Sequence, residues 1–218
     1  MDKDLVVEKT ADFVRSRLNG DSTGHDWWHI YRVWKMSLKI ARNEGQVDLF
    51  TVQLAALLHD IADWKFNNGD DKICGKEARK WLETLDVDSA TISKVCYIVK
   101  NISFKGAKVK SKMESKEGKI VQDADRLDAI GAIGIGRTFA YGGAKKREMY
   151  DPDVKPRLHS TFKAYKNSDS NTINHFYEKL LLLENKMNTK TGKIVAAKRT
   201  AVMKRYLNEF FAEWDGKR

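Results

Sequence analysis

The stretch Leu54-Ala55-Ala56-Leu57-Leu58-His59-Asp60-Ile61-Ala62-Asp63 constrains this chain more than any other. Leu54, Leu57, Leu58 and Ile61 recur at i, i+3, i+4 and i+7, the spacing of a helix with a buried face. A His and an Asp lie side by side in that run. Ionisable groups taken out of water without partners are costly, and one divalent ion satisfies an imidazole and a carboxylate together. The run therefore predicts a metal-binding helix. The competing reading is a hydrogen-bonded core histidine beside an aspartate at a helix end.

The rest of the chain reads as helices too. Only Pro152 and Pro156 interrupt it, and long proline-free stretches suit an all-α fold. Apolar periodicity predicts helices over 5–18 and 26–43, and a third that starts after Asp48 as N-cap and holds the central stretch. Further helices are predicted over 73–85 and over 89–101, the latter capped by Asp88 or Ser89. A long apolar pattern over 119–140 is broken by Gly131, Gly134 and Gly136, glycines that suit close backbone packing. The last helices are expected over 171–187 and 191–214. Residues 104–117 read as a Lys-rich surface loop, and 141–170 as an irregular lid or insert. Period-2 alternation is hard to find anywhere, and no internal repeat is visible. The 218 residues thus read as a single all-α domain, 1–218.

Composition narrows the function classes. Lys plus Arg number 40 against 30 Asp plus Glu, a net +10 that favours anionic partners. Cys74 and Cys96 form no Cys-x-x-Cys pair, so neither a disulfide framework nor a thiolate zinc site is indicated. The charged N-terminus lacks a signal-peptide core, and no apolar run approaches membrane-spanning length. A reducing cytoplasm is the expected location.

Histidine is scarce, with five in the chain. His25 and His29 are four apart and share a helix face. Val121-Gln122-Asp123-Ala124-Asp125-Arg126-Leu127-Asp128-Ala129 packs three carboxylates into an apolar segment, and these need cations nearby. Arg126 could pair with one of them, and a solvated acidic face is another reading; a metal would also answer the need. Two imidazoles with two or three carboxylates make a mixed nitrogen and oxygen site for one divalent ion: Mn, Mg, Co, Ni, Fe or Zn. Such an ion lowers the pKa of water and polarises phosphoryl oxygens. No phosphate-loop or nucleophile-elbow motif competes with this reading.

The ordered set His29 … His59-Asp60 … Asp125 resembles the HD-domain metal-dependent phosphohydrolases, whose signature is H…HD…D on an all-helical core. The flanks match as well: His29-x-x-Arg32-Val33, Leu57-Leu58-His59-Asp60-Ile61 and Asp123-Ala124-Asp125-Arg126-Leu127-Asp128. Gly24-His25-Asp26-Trp27-Trp28-His29, Ala129-Ile130-Gly131-Ala132-Ile133-Gly134 and Asn174-His175-Phe176-Tyr177-Glu178-Lys179-Leu180 look like the small bacterial HD proteins that hydrolyse nucleoside triphosphates. The resemblance implies a metal-binding core over about 20–140 and a C-terminal helical part over about 160–215 completing the pocket. It implies His29, His59, Asp60 and Asp125 as ligands, with Asp125 preferred to Asp123 because it precedes the basic Arg126. Asp60 and Asp63 become the catalytic carboxylates, Asp63 handling the proton of attacking water. Arg32, Lys65 and Arg126 become phosphate contacts, with ion pairing to Asp26, Asp63 or Asp128 as their alternative role. His25, Asp26 and Asp128 become supports for the ligands, and His175 with Lys179 closes the pocket. Two-metal relatives carry extra His between the HD pair and the final Asp; none lies between Asp60 and Asp125, so one ion per chain is expected, manganese first.

The expected activity is hydrolysis of a nucleoside triphosphate to monophosphate and pyrophosphate. Monophosphate dephosphorylation and hydrolysis of an alarmone or cyclic dinucleotide are the alternatives. A basic helical module binding nucleic acid around a structural metal is the non-enzymatic one. Against that, Trp27, Trp28, Tyr31 and Trp34 sit within apolar periodicity and read as core rather than base-stacking platforms. A nucleotide is the expected partner, with neither membrane nor nucleic acid, and a homodimer is left open.

Overall fold

Short oxygen-bearing side chains set most helix starts in this chain. The computed structural model describes residues 2–18, 26–61, 73–104, 106–109, 111–158, 161 and 170–218. Helix α1 (Lys3–Arg17) is capped by Asp2, α2 (Trp27–Asn43) by Asp26 and α3 (Leu49–Leu58) by Asp48. After α4 (Ile73–Glu83), Asp88 caps α5 (Ser89–Asn101). Then come α6 (Lys116–Asp128) and α7 (Gly131–Ala144), α8 (Thr172–Glu178) capped by Asn171, and α9 (Lys190–Trp214) capped by Thr189. In each capped case the side-chain oxygen accepts a backbone N–H that has no partner within its own helix. Among the described residues the regular structure is helical without a strand, so the fold is all-α.

Two compact units divide the chain. The first comprises Met1–Phe104 with Lys110–Asp125, the second Lys105–Val109 with Arg126–Arg218. In the first unit α3 packs on α1, α2 and α5, and α4 packs on α5. Leu54, Ala55, Ala56, Leu57 and Leu58 are all fully buried. The periodicity predicts one buried face; residues 54–58 are instead enclosed on every side, as an all-round apolar stretch must be, while Leu49 at the start of α3 is exposed.

In the second unit α9 packs on α7, and α7 on α8. A Cβ at Gly142 would collide with the Thr172 hydroxyl, which explains why α7 and α8 meet at a glycine. Gly131 adopts φ +78° and separates α7 from α6, so the long pattern over 119–140 becomes two helices. The helix expected over 171–187 is also shorter. Lys179 leaves helical backbone (φ −139°), and two 3₁₀ turns follow, Leu180–Leu182 and Glu184–Lys186. Their three-residue turn places Leu180 and Leu183 on one buried side.

Two of the aromatics expected in the core are outside it. Trp28 is 56% exposed and Tyr31 37% exposed, whereas Ile30 and Val33 beside them are fully buried. Trp27 and Trp34 are half-buried, and Trp34 Nε1 donates to Gln53 Oε1 at 3.2 Å.

Asp48 ties the start of α3 to its surroundings. Its carboxylate accepts from the Thr51 N–H (3.2 Å) and Thr51 hydroxyl (2.7 Å), and Lys94 Nζ lies 3.7 Å away. Burial pushes this carboxyl up, but the Thr51 hydrogen bonds and the Lys94 and Lys3 charges outweigh it, so its pKa lies below the ordinary value. A depressed pKa means stability that is present above the unfolded value of about 3.9 and lost as pH falls through the folded one. Asp48→Ala is expected to cost about 1 kcal/mol at neutral pH. In urea titrations the gap between variant and wild type should shrink below about pH 4; a gap that is constant or widens in acid would contradict the capping role.

Candidate metal centre

Helix ends bring the site together. Asp26 Oδ1 accepts from the His29 N–H at 2.9 Å, so the cap that starts α2 also fixes the backbone of its first histidine. His59 is the C-cap residue of α3. Asp125 lies in the last turn of α6. All three belong to the first unit.

The two imidazoles point at each other from α2 and from the end of α3. His29 Nε2 and His59 Nε2 are 3.2 Å apart, with both residues buried. His59 Nδ1 donates to the Ala56 carbonyl at 2.8 Å. The proton therefore sits on Nδ1, and the His59 Nε2 lone pair faces His29. Asp60 Oδ2 is 3.7 Å from His29 Nε2, and Asp125 Oδ1 is 3.6 Å from His29 Nε2 and 3.8 Å from His59 Nε2. Separations of 3.6 Å and more are too long for hydrogen bonds. Donors ~2.1 Å from a common ion stand ~3.0 to ~3.4 Å apart, so His29, His59 and Asp125 surround a volume of about the right size for one, while Asp60 approaches His29 without joining that mutual cluster. His29, His59 and Asp125 each offer an atom within 4.8 Å of the others. Two neutral imidazoles and two carboxylates carry about −2, which balances a divalent cation. The residues present fit a metal.

The same contacts explain where α3 stops. The reading of a helix running on through Asp63 is corrected: α3 ends at Leu58. An ideal helix would give the Ala56 carbonyl to the Asp60 N–H, but the His59 ring takes that carbonyl instead. The Cys74 thiol, at 3.3 and 3.2 Å, donates toward the Leu58 and His59 carbonyls, two further acceptors of the helix end. Sequence reasoning gives Cys74 no role beyond excluding a Cys-x-x-Cys pair. No spacing rule links it to His59, because the thiol acts on backbone carbonyls from the start of α4.

The remaining predicted residues are placed as follows. Arg32 is half-buried on α2, one turn after His29. Asp123 is fully buried, and of the two carboxylates it is Asp125 that approaches the imidazoles. Arg126 and Asp128 belong to the second unit. There the Arg126 guanidinium is buried and donates to the Lys186 carbonyl. Burial first, then the Arg126 charge, lowers the pKa of the Lys186 ammonium. Asp128 is buried and paired with Arg137 at 2.8 Å, a salt bridge that sequence reasoning misses. His175 and Lys179 are half-buried at the end of α8 in that unit, joined by the Lys179 N–H to the His175 carbonyl. His25, Asp63 and Lys65 lie outside the described residues.

Known proteins resemble this chain over most of its length. The model of the HD domain family matches residues 27–130. YpgQ of Bacillus subtilis is 34% identical over 204 residues, 93% of this chain and 91% of that protein. A Lactobacillus plantarum protein of known structure aligns with TM-score 0.88 at 35% identity, covering 99% of this chain and all of that one. An HD-superfamily hydrolase from Bacillus thuringiensis aligns with TM-score 0.75 at 43% identity over 98% of each chain. The structure of Bacillus subtilis YpgQ in complex with ADP aligns with TM-score 0.73 at 34% identity, covering 95% and 97%.

A bound divalent ion should raise the thermal midpoint, because it binds the folded site and only weakly the dispersed ligands. Chelation followed by manganese addition should lower and then restore that midpoint in the wild type. His59→Ala should abolish the response while retaining the helical circular-dichroism spectrum. An equal response in wild type and variant would place the ion elsewhere.

Proposed function

Because this chain belongs to the HD-domain family and is a metal-dependent hydrolase, we propose that it acts on nucleotides, cleaving a nucleoside triphosphate to monophosphate and pyrophosphate. The observation that carries this reading is the convergence of His29, His59 and Asp125 around one point, with Asp60 3.7 Å from His29. A divalent ion held there, manganese by preference and one per chain, would supply Lewis acidity, making water more acidic and a phosphoryl oxygen more electrophilic.

The chain's own residues do the rest. The Ala56 carbonyl holds the His59 ring in its Nδ1–H form, so the Nε2 lone pair is directed into the site whatever occupies it. Asp60 and Asp125 offset the positive charge and are partly exposed, at 18% and 29% of their side chains, so the acidic side of the cluster is the side open to ligand. Asp63, a few residues beyond His59, takes the proton from attacking water in this reading. Arg32 lies one turn from His29 and meets phosphoryl oxygens as charge develops on them. Lys108, Lys112 and Lys146 are exposed, and the net +10 of the chain draws a polyanion toward the protein. The ADP complex of the Bacillus subtilis relative supports a nucleotide ligand. A nucleotide substrate and two free thiols suit the cytoplasm.

A screen of manganese-loaded protein against nucleoside mono-, di- and triphosphates, with phosphate and pyrophosphate measured separately, tests the reading. Pyrophosphate released from triphosphates is the expected product, and His59→Ala should lower turnover by more than about a hundredfold, beyond what loss of an outer-shell partner costs. Phosphate released from monophosphates alone would replace the proposed reaction with a phosphatase. Unchanged turnover in His59→Ala would remove the site assignment.

A further inference from the structure

Helix α2 carries a feature that the metal site does not use. Its inner face is built from His29, Ile30, Val33, Ser37, Ile40 and Ala41, all buried. Its outer face carries Trp28, immediately before the ligand His29, with 56% of its surface in solvent. Trp28 is therefore not needed to fill the core. Tyr31, one turn on, is 37% exposed and meets Trp28 edge to face, with ring centroids 5.9 Å apart at 81°. Lys35 Nζ lies 5.3 Å from the Tyr31 ring centroid, within cation–π range. Trp28, Tyr31 and Lys35 follow i, i+3, i+7 and so form one stripe. Arg32 stands between that stripe and the His29 direction, four residues after Trp28 and three after His29.

We propose that the Trp28 ring, braced by Tyr31, stacks the base of the nucleotide whose phosphates lie at the His29/His59/Asp125 cluster. This rests on the nucleotide reading above and adds a base subsite to it. Helix geometry, the Trp28–Tyr31 brace and the chemistry of stacking argue for a flat, uncharged ring as the occupant. Adjacent α-carbons are ~3.8 Å apart, and the Trp28 and His29 side chains diverge by about 100° around the helix. A ligand spanning both therefore needs a polar end and an aromatic end joined by a short linker, as base, sugar and phosphates are. An edge-to-face brace holds the Trp28 ring in place, which lowers the entropy lost on stacking. Every base has a π-face, so the stripe favours nucleotides over bare polyphosphates without selecting one base.

Calorimetric titration of the manganese-loaded protein with ADP and with inorganic tripolyphosphate separates the two parts. Wild type, Trp28→Ala and Trp28→Phe are compared. The expected result is about tenfold weaker ADP binding in Trp28→Ala, on the scale of one lost stack. Tripolyphosphate affinity should be unchanged within about twofold, and Trp28→Phe should bind ADP close to wild type. Equal ADP affinity in wild type and Trp28→Ala overturns the base subsite and leaves the phosphate site standing. Equal loss for ADP and tripolyphosphate overturns it as well, because Trp28 would then serve the start of α2 rather than the base. Wild-type protein that binds neither probe removes the nucleotide reading itself.

Discussion

Two imidazole nitrogens held 3.2 Å apart in a dry interior are the constraint that the rest of the first unit serves. Lone pairs at that distance repel unless a proton or a cation lies between them, so the fold must supply one and must hold both rings against it. It does so with helix ends. His29 is three residues after an Asp cap, His59 is itself the C-cap of its helix, and Asp125 lies in the final turn of another. Helix ends are where backbone groups lack partners within the helix. The contacts that satisfy them therefore also position the side chains of the cluster: Asp26 on the His29 N–H, the His59 ring on the Ala56 carbonyl, and Cys74 on the carbonyls of Leu58 and His59. In this unit, satisfying the backbone and building the site are largely the same task.

What could be read in the amino-acid order follows from that. Caps are short-range chemistry, and Asp48 and Asp88 announce α3 and α5 through residue type and position alone, while Asp26, read as the first residue of its helix, is its cap. The far end of α3 was not legible, because what ends it is a ring turning back on its own helix and a thiol arriving from fifteen residues on. Local propensity contains neither. The division of 171–187 into α8 and two 3₁₀ turns is of the same kind: the apolar residues are there, but whether they repeat at 3.6 or 3 is decided by which of them the second unit buries.

Aromatic residues on α2 show a different limit. Trp27, Trp28, Ile30, Tyr31, Val33 and Trp34 point in nearly every direction around the first two turns, so the pattern marks no outer face. Burial separates them: Ile30 and Val33 face inward, Trp27 and Trp34 lie at the margin, and Trp28 with Tyr31 faces water. One helix face cannot hold all four rings, so two of them face water.

The acidic segment of α6 divides in a way that residue type could not foretell. Asp125 and Asp128 are three apart, yet they meet opposite solutions to the same electrostatic problem. Asp128 is almost wholly buried and has the Arg137 guanidinium at 2.8 Å, a charge-assisted hydrogen bond that offsets its desolvation. Asp125 keeps 29% of its side chain exposed. Among the described residues, the groups near it that can carry positive charge are His29 and His59, at distances beyond a hydrogen bond. A carboxylate completed by a guanidinium has its countercharge within the chain. One that faces two imidazole nitrogens across 3.6–3.8 Å has room for a cation between them, and that difference, rather than the bare presence of acids, marks Asp125 and not Asp128 as the candidate ligand.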